Sequence, residues 1–112
     1  MENAENTEYM NWTEYREAAH KLLDLCLDIQ EAGNAGDGYP FADIHVDNYT
    51  RAIYVYLNPD GFGNGTAILD ACSIHLGHPE KKTYRNCLEK LEELAVLAKE
   101  KRSRERALHG NA

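Results

Sequence analysis

Two groups of residues in this 112-residue chain have the side-chain types to hold a metal ion or move a proton. Asp43, His45 and Asp47 stand at two-residue steps, and Cys72, His75 and His78 at three-residue steps. Zinc needs ligands that converge on one point, and a three-residue period on a strand sends successive side chains to opposite faces. Only local helix would gather Cys72, His75 and His78, and a fourth protein ligand is missing. Asp43, His45 and Asp47 do share a strand face, but alternate residues stand about 6.5 Å apart, too far for all three to hold one ion undistorted. Neither group is expected to bind metal. A metal-dependent hydrolase using His45 or His75 would require an ion that stays with the protein through purification.

The remaining catalytic patterns fail on detail. Gly61-Phe62-Gly63-Asn64-Gly65 lacks the Gly-Lys-Ser/Thr ending of a phosphate loop, and Thr66 stands where the dinucleotide fingerprint needs glycine. A calcium loop from Asn58 and Asp60 meets Phe62 at the next ligand position and Leu69 in place of the bidentate glutamate. Ser73 lies in an apolar stretch and Ser103 in a charged one, so neither is placed as a nucleophile. Cys26, Cys72 and Cys87 sit among apolar residues with no evident cation to stabilise a thiolate. Asp43 and Asp47 could pair as acid and base, but no pocket is indicated to raise one pKa. The expectation is a protein that is not an enzyme and carries no cofactor.

What these residues can do is recognise a surface. Ala42, Ile44 and Val46 alternate with Phe41, Asp43, His45 and Asp47; after a turn at Asn48 and Tyr49, Ile53, Val55 and Leu57 alternate with Ala52, Tyr54 and Tyr56. Period two turns Ala42, Ile44, Val46, Ile53, Val55 and Leu57 toward a core and Phe41, Asp43, His45, Asp47, Tyr54 and Tyr56 the other way. Tyrosine combines contact area with a polar tip and is enriched in binding hot spots. Glu14 and Glu17, with Glu2, Glu5 and Glu8, add negative charge near the N-terminus. Residues 1–79 carry thirteen acidic and three basic side chains and residues 80–112 six and nine, so the net −7 divides into −10 and +3. A surface divided in this way steers a basic partner to one end.

The elements that position this face are legible around it. Residues 1–10 read as a polar, flexible lead-in. Asn11 caps a first helix with Glu14 completing a capping box and Met10 stapled to Tyr15. Its stripe is Tyr15, Ala19, Leu22, Cys26 and Ile29, widened by Ala18 and Leu25, with Leu23 and Leu27 on a shoulder for a second helix. Gly33, Gly36 and Gly38 end it in a flexible connection. Asn58-Pro59-Asp60-Gly61 is a turn, lengthened by Gly63 and Gly65. Residues 66–76 read as a third antiparallel strand with Ile68, Cys72, Ile74 and Leu76 on one face; Asp70 among them calls for a bulge or a helical turn over 67–72. Pro79 opens a second helix behind His78 as cap, with Tyr84, Leu88, Leu91, Ala95 and Ala98 as its stripe. Beyond it, 99–112 is a charged helical extension that projects from the domain, with Gly110 as a stop.

The fold expected is therefore α+β, in the order α-β-β-β-α, with two helices on one face of a three-stranded sheet and a single domain over 11–98. A chain of this size buries about two-thirds of its surface, enough for a core without disulfides. Three widely spaced cysteines suit reduced thiols in the cytoplasm. No basic, apolar leader or membrane-length apolar run is seen, so no membrane contact is expected.

This order of elements resembles that of double-stranded RNA-binding domains over residues 13–98, with Lys81, Lys82 and Arg85 near their basic cluster. The resemblance implies phosphate contact at the start of the second helix; the charge of Lys99, Lys101, Arg102, Arg104 and Arg106 separately suits phosphates, and the −10 of residues 1–79 opposes both. In size, acidity and lack of a catalytic centre the chain is similar in type to the anti-CRISPR proteins that phages carry against host nucleases, a likeness that carries over no residue. The function expected is an acidic interaction protein that binds, and competitively inhibits, a basic or nucleic-acid-binding protein. A homo-oligomeric scaffold of a mobile element, a homo-dimer at its simplest, and a weak nucleic-acid-binding module are the alternatives.

Overall fold

A computed structural model describes residues 8–61 and 70–108. The elements are α1 (Trp12–Ala32), a 3-10 turn (Ala35–Asp37), β1 (Phe41–Asp47), β2 (Ala52–Asn58), β3 (Asp70–His75) and α2 (Lys81–Leu108). The three strands form one antiparallel sheet in the order β1-β2-β3, and both helices cover the same face of it, as the alternation and the stripes require.

Helix α1 begins with a full capping box. The Glu14 N–H donates to Asn11 Oδ1 at 2.8 Å and the Asn11 N–H to Glu14 Oε1 at 2.9 Å. Tyr15, Ala18, Leu22, Leu25, Cys26 and Ile29 are buried along it. They meet Ile53, Val55, Leu57 and Ile74 from the sheet and Cys87, Leu91, Leu94 and Ala95 from α2 in one core.

The register fixes which residues share a face. Val55 stands between Ile44 and Cys72, and Ile53 between Val46 and Ile74, on the helix side. Tyr56 stands between Asp43 and Ala71, and Tyr54 between His45 and Ser73, on the other.

Several expectations need correction. The connection after α1 is folded rather than loose: Asn34 Oδ1 caps the 3-10 turn through the Gly36 N–H at 2.7 Å, and Gly38 closes it at φ +92°. Asp70 needs neither bulge nor helix. It pairs with Leu57 at the start of β3, and its carboxylate meets Lys90 Nζ of α2 at 2.6 Å, which satisfies a charge on the core-facing side. Residues 66–69, Gly63, Gly65 and Gly110 lie outside the described residues.

Helix α2 starts later than the proline suggests. The Tyr84 N–H donates to the Glu80 carbonyl and the Thr83 hydroxyl to the Glu80 carboxylate, so Glu80, not His78, holds the capping position. Pro79 instead accepts the Met10 N–H at 2.9 Å, tying the entry of α1 to the entry of α2.

Leu23 and Leu27 receive no helix. Instead, α2 packs along the opposite flank of α1, with Lys81 near Glu14 at one end and Arg102 near Ala32 at the other, so the two helices run parallel. The charged end of α2 is tied down as far as Glu105. Arg102 Nη1 donates to the Glu31 and Ala32 carbonyls at 2.7 and 2.9 Å. The Tyr39 hydroxyl donates to Glu105, and Lys101 lies over the Tyr39 ring at 5.1 Å. Ala98 is fully buried with Ala32 and Tyr39.

Candidate functional site

Because both helices lie on one side, no described element forms a layer over the other face of the sheet. Tyr54 and Tyr56 stand at its centre on β2, each half-buried by its neighbours. His45 meets Tyr56 edge-on at 5.7 Å between ring centroids, and His75 meets Tyr54 edge-on at 6.3 Å. Asp43 Oδ2 holds His45 Nε2 at 2.9 Å, and the Tyr54 hydroxyl donates to Thr50 Oγ1 at 2.9 Å. Four rings thus form a laterally braced patch with one carboxylate on its rim.

The expected site residues divide. Asp43, His45, Tyr54 and Tyr56 come together, and Phe41, opposite Asn58, lies half-buried at the end of the same row. Asp47 does a different task. Its Oδ1 accepts the Tyr49 and Thr50 N–H groups at 2.8 and 3.2 Å, which fastens the β1–β2 turn. Glu14 and Glu17 are in the other layer, lining a groove between the helices with Met10, Lys21, Lys81 and Arg85. Glu14 is occupied by the capping box and by Lys81 Nζ at 3.8 Å. Glu2 and Glu5 lie outside the described residues.

Nor do the acidic and basic segments form two ends. Parallel packing lays them side by side, with Glu14 against Lys81 and Asp28 against Lys99 across the helix seam and Asp70 against Lys90 beside it. The charge asymmetry of the sequence is partly cancelled within the molecule.

A second surface was not legible as such. Around the β1 edge from Asp43 and His45, an apolar groove of about 380 Å3 runs between α1 and β1, lined by Trp12, Tyr15, Ala19, Leu23, Ile44 and Val46. Trp12 is 56% exposed, Leu23 44% and Val46 73%. Val46 points to the helix side as its alternation predicts but lies beyond the reach of α1. The unused shoulder Leu23 and Leu27 was the available signal.

The cysteines cluster between layers. A hydrogen bond from the buried Cys87 thiol, aided by the nearby Lys90 cation that the sequence did not announce, pulls the Cys72 pKa below the ordinary thiol value. Holding that bond and being buried push Cys87 up, and burial with Asp43 nearby pushes Cys26 up to about 11. Among the described residues no group of three His, Cys, Asp or Glu side chains is placed to hold a metal ion, and no helix is long and apolar enough to cross a membrane.

Comparison with protein-family models, with curated proteins and with solved structures found no match.

Proposed function

We propose that this chain is an interaction protein that binds a basic protein surface, of the kind that otherwise holds nucleic acid, and blocks it competitively. The observation that carries the proposal is the sheet face that no described element covers, with Tyr54 and Tyr56 braced by His45 and His75 and with Asp43 at its rim. Prearranged aromatic side chains lose little entropy on docking, and carboxylates speed encounter with a cationic partner. A phage-type inhibitor of a host defence nuclease, in the manner of the anti-CRISPR proteins, is the specific form proposed. The net charge of −7 supports it. Nucleic-acid binding by α2 has less support, because Lys99, Lys101 and Arg102 already face partners within the chain.

The test is affinity capture from host lysate at about 50 and about 300 mM salt, where screening of exposed charges differs strongly. The expected result is a nucleic-acid-binding protein retained at low salt, released by competing duplex or RNA, and lost with Tyr54→Ala/Tyr56→Ala. Retention unaffected by the double substitution and by salt refutes the proposal.

A further inference from the structure

The β1 edge offers a more specific mode of binding, and the inference that follows rests on the basic-partner reading above. Strand β1 is an outer strand of the sheet, paired without interruption from Phe41↔Asn58 to Asp47↔Ala52. Natural edge strands are usually blocked by proline, lysine, a bulge or a covering segment. Over residues 42–47 this one has no proline, lysine or bulge, and among the described residues no backbone hydrogen bond leads from that stretch to any element but β2.

The two sides of that edge differ sharply. On the open side lie Asp43, His45 and Asp47; on the helix side lie Ala42, Ile44 and Val46, continued across the groove by Leu23 and Trp12. A strand added at this edge sends successive side chains to alternate sides. The residue beside Asp43 meets a carboxylate, the one beside His45 meets an imidazole held by that carboxylate, and those beside Ile44 and Val46 meet the apolar groove; Asp47 ends the row with its Oδ1 fastening the turn. The groove also contains Arg16, whose guanidinium lies 5.9 Å from the Trp12 ring, and His20. A cation entering the groove would meet them, so the pattern is favoured in one orientation only.

We propose that the partner adds an extended segment to β1, with Lys or Arg facing Asp43 and apolar residues at the alternate positions seated in the Trp12–Leu23–Val46 groove. A second copy of the chain is the poorer occupant. It would bring another net −7 and a second set of β1 carboxylates to the same edge.

Trp12 is the sole tryptophan, so its emission reports the groove directly. The probe is a blocked seven-residue peptide with Lys at odd and Val at even positions, titrated up to about 1 mM, where binding free energies near 4 kcal/mol are detectable. The comparison peptide has the same composition with all lysines grouped. The alternating peptide is expected to shift Trp12 emission to the blue and saturate, with the grouped peptide at least about tenfold weaker. Asp43→Lys and Val46→Asp should each weaken the alternating peptide by about tenfold or more while far-UV circular dichroism stays unchanged. Val46 is largely exposed, so its substitution leaves the core intact.

Equal binding of the two peptides overturns strand addition but leaves the basic-partner reading standing. Binding of neither, by fluorescence or sedimentation, overturns the inference, and if polylysine also fails to bind, the basic-partner reading falls with it. Self-association without peptide that Val46→Asp abolishes puts a second copy at the edge and overturns the choice of occupant.

Discussion

Arg102→Ala should weaken the fold more than any other single cation substitution on α2. Helix α1 ends without the usual devices: no basic residue lies in its last turn, and Gly33 is extended at φ 173° rather than left-handed. The carbonyls of Glu31 and Ala32 are instead satisfied by the Arg102 guanidinium, at 2.7 and 2.9 Å. Each charge-assisted bond at a partly exposed position is worth about 1 kcal/mol, and the cation also opposes the negative end of the helix dipole, so the loss should be about 2 kcal/mol. With an unfolding entropy of about 2.1 cal/mol/K per residue, 112 residues convert this to a fall in Tm of about 8 °C. Thermal denaturation followed by circular dichroism measures it, with hydrogen exchange expected to quicken in the last turn of α1. Arg102→Lys keeps the charge on a shorter side chain without the planar guanidinium and should recover about half. Arg104, exposed on the same helix, is the control. If Arg102→Ala lowers Tm no more than Arg104→Ala, the capping argument is wrong.

Other consequences follow from single positions. A Cβ on Gly61, at φ +93°, would stand 2.6 Å from the Ala35 carbonyl oxygen and 3.0 Å from that of Tyr39, so Gly61→Ala should cost about 3 kcal/mol in denaturant unfolding. Arg51 is left-handed at φ 57°, and Arg51→Gly should stabilise the protein by about 0.5–1 kcal/mol, since the bond its carbonyl accepts from Leu76 is main-chain; a loss of stability there would mean the side chain matters more. Cys72, half-buried and with its pKa lowered, should be alkylated first by iodoacetamide, with Cys26 and Cys87 protected until unfolding; mass spectrometry of timed samples gives the order. Because the folded state holds the Cys26 proton up to about 11 and an unfolded thiol loses it near 9.0, stability should be unaffected below pH 9 and fall as pH rises from there; Cys26→Ala should flatten that decline in alkaline melts.

The sequence was most legible where the forces are local. Asn11 and Glu14 close a box three residues wide, and the alternation of Ile53, Val55 and Leu57 needs only the pleat to turn them inward. Asn58-Pro59-Asp60-Gly61 likewise turned as its types require, with the Gly61 N–H donating to the Asn58 carbonyl at 3.3 Å. The less legible features depend on residues far apart in the chain. Asp70 looked misplaced in a strand because nothing nearby announces Lys90. Leu23 and Leu27 read as a shoulder for α2 because the stripe shows that a face is apolar, not which flank a later helix will choose. Of the candidate site, Asp43, His45, Tyr54 and Tyr56 followed from period two, whereas Asp47 was drawn into the turn by two backbone donors that no alternation reveals.

The Arg102 clamp also bears on the order in which the molecule can be completed as it is synthesised. Helix α1 is finished by a side chain seventy positions later, on α2, which follows all three strands in the chain. While the chain is still growing, α1 and the hairpin can meet, but the last turn of α1 has open carbonyls and half of its apolar stripe has no counterpart. Contacts this distant in sequence must wait for loop closure, so the emerging chain carries an unfinished helix until α2 has been made as far as Arg102. Premature termination anywhere before Arg102 would therefore leave not a shorter domain but one whose α1 lacks its end.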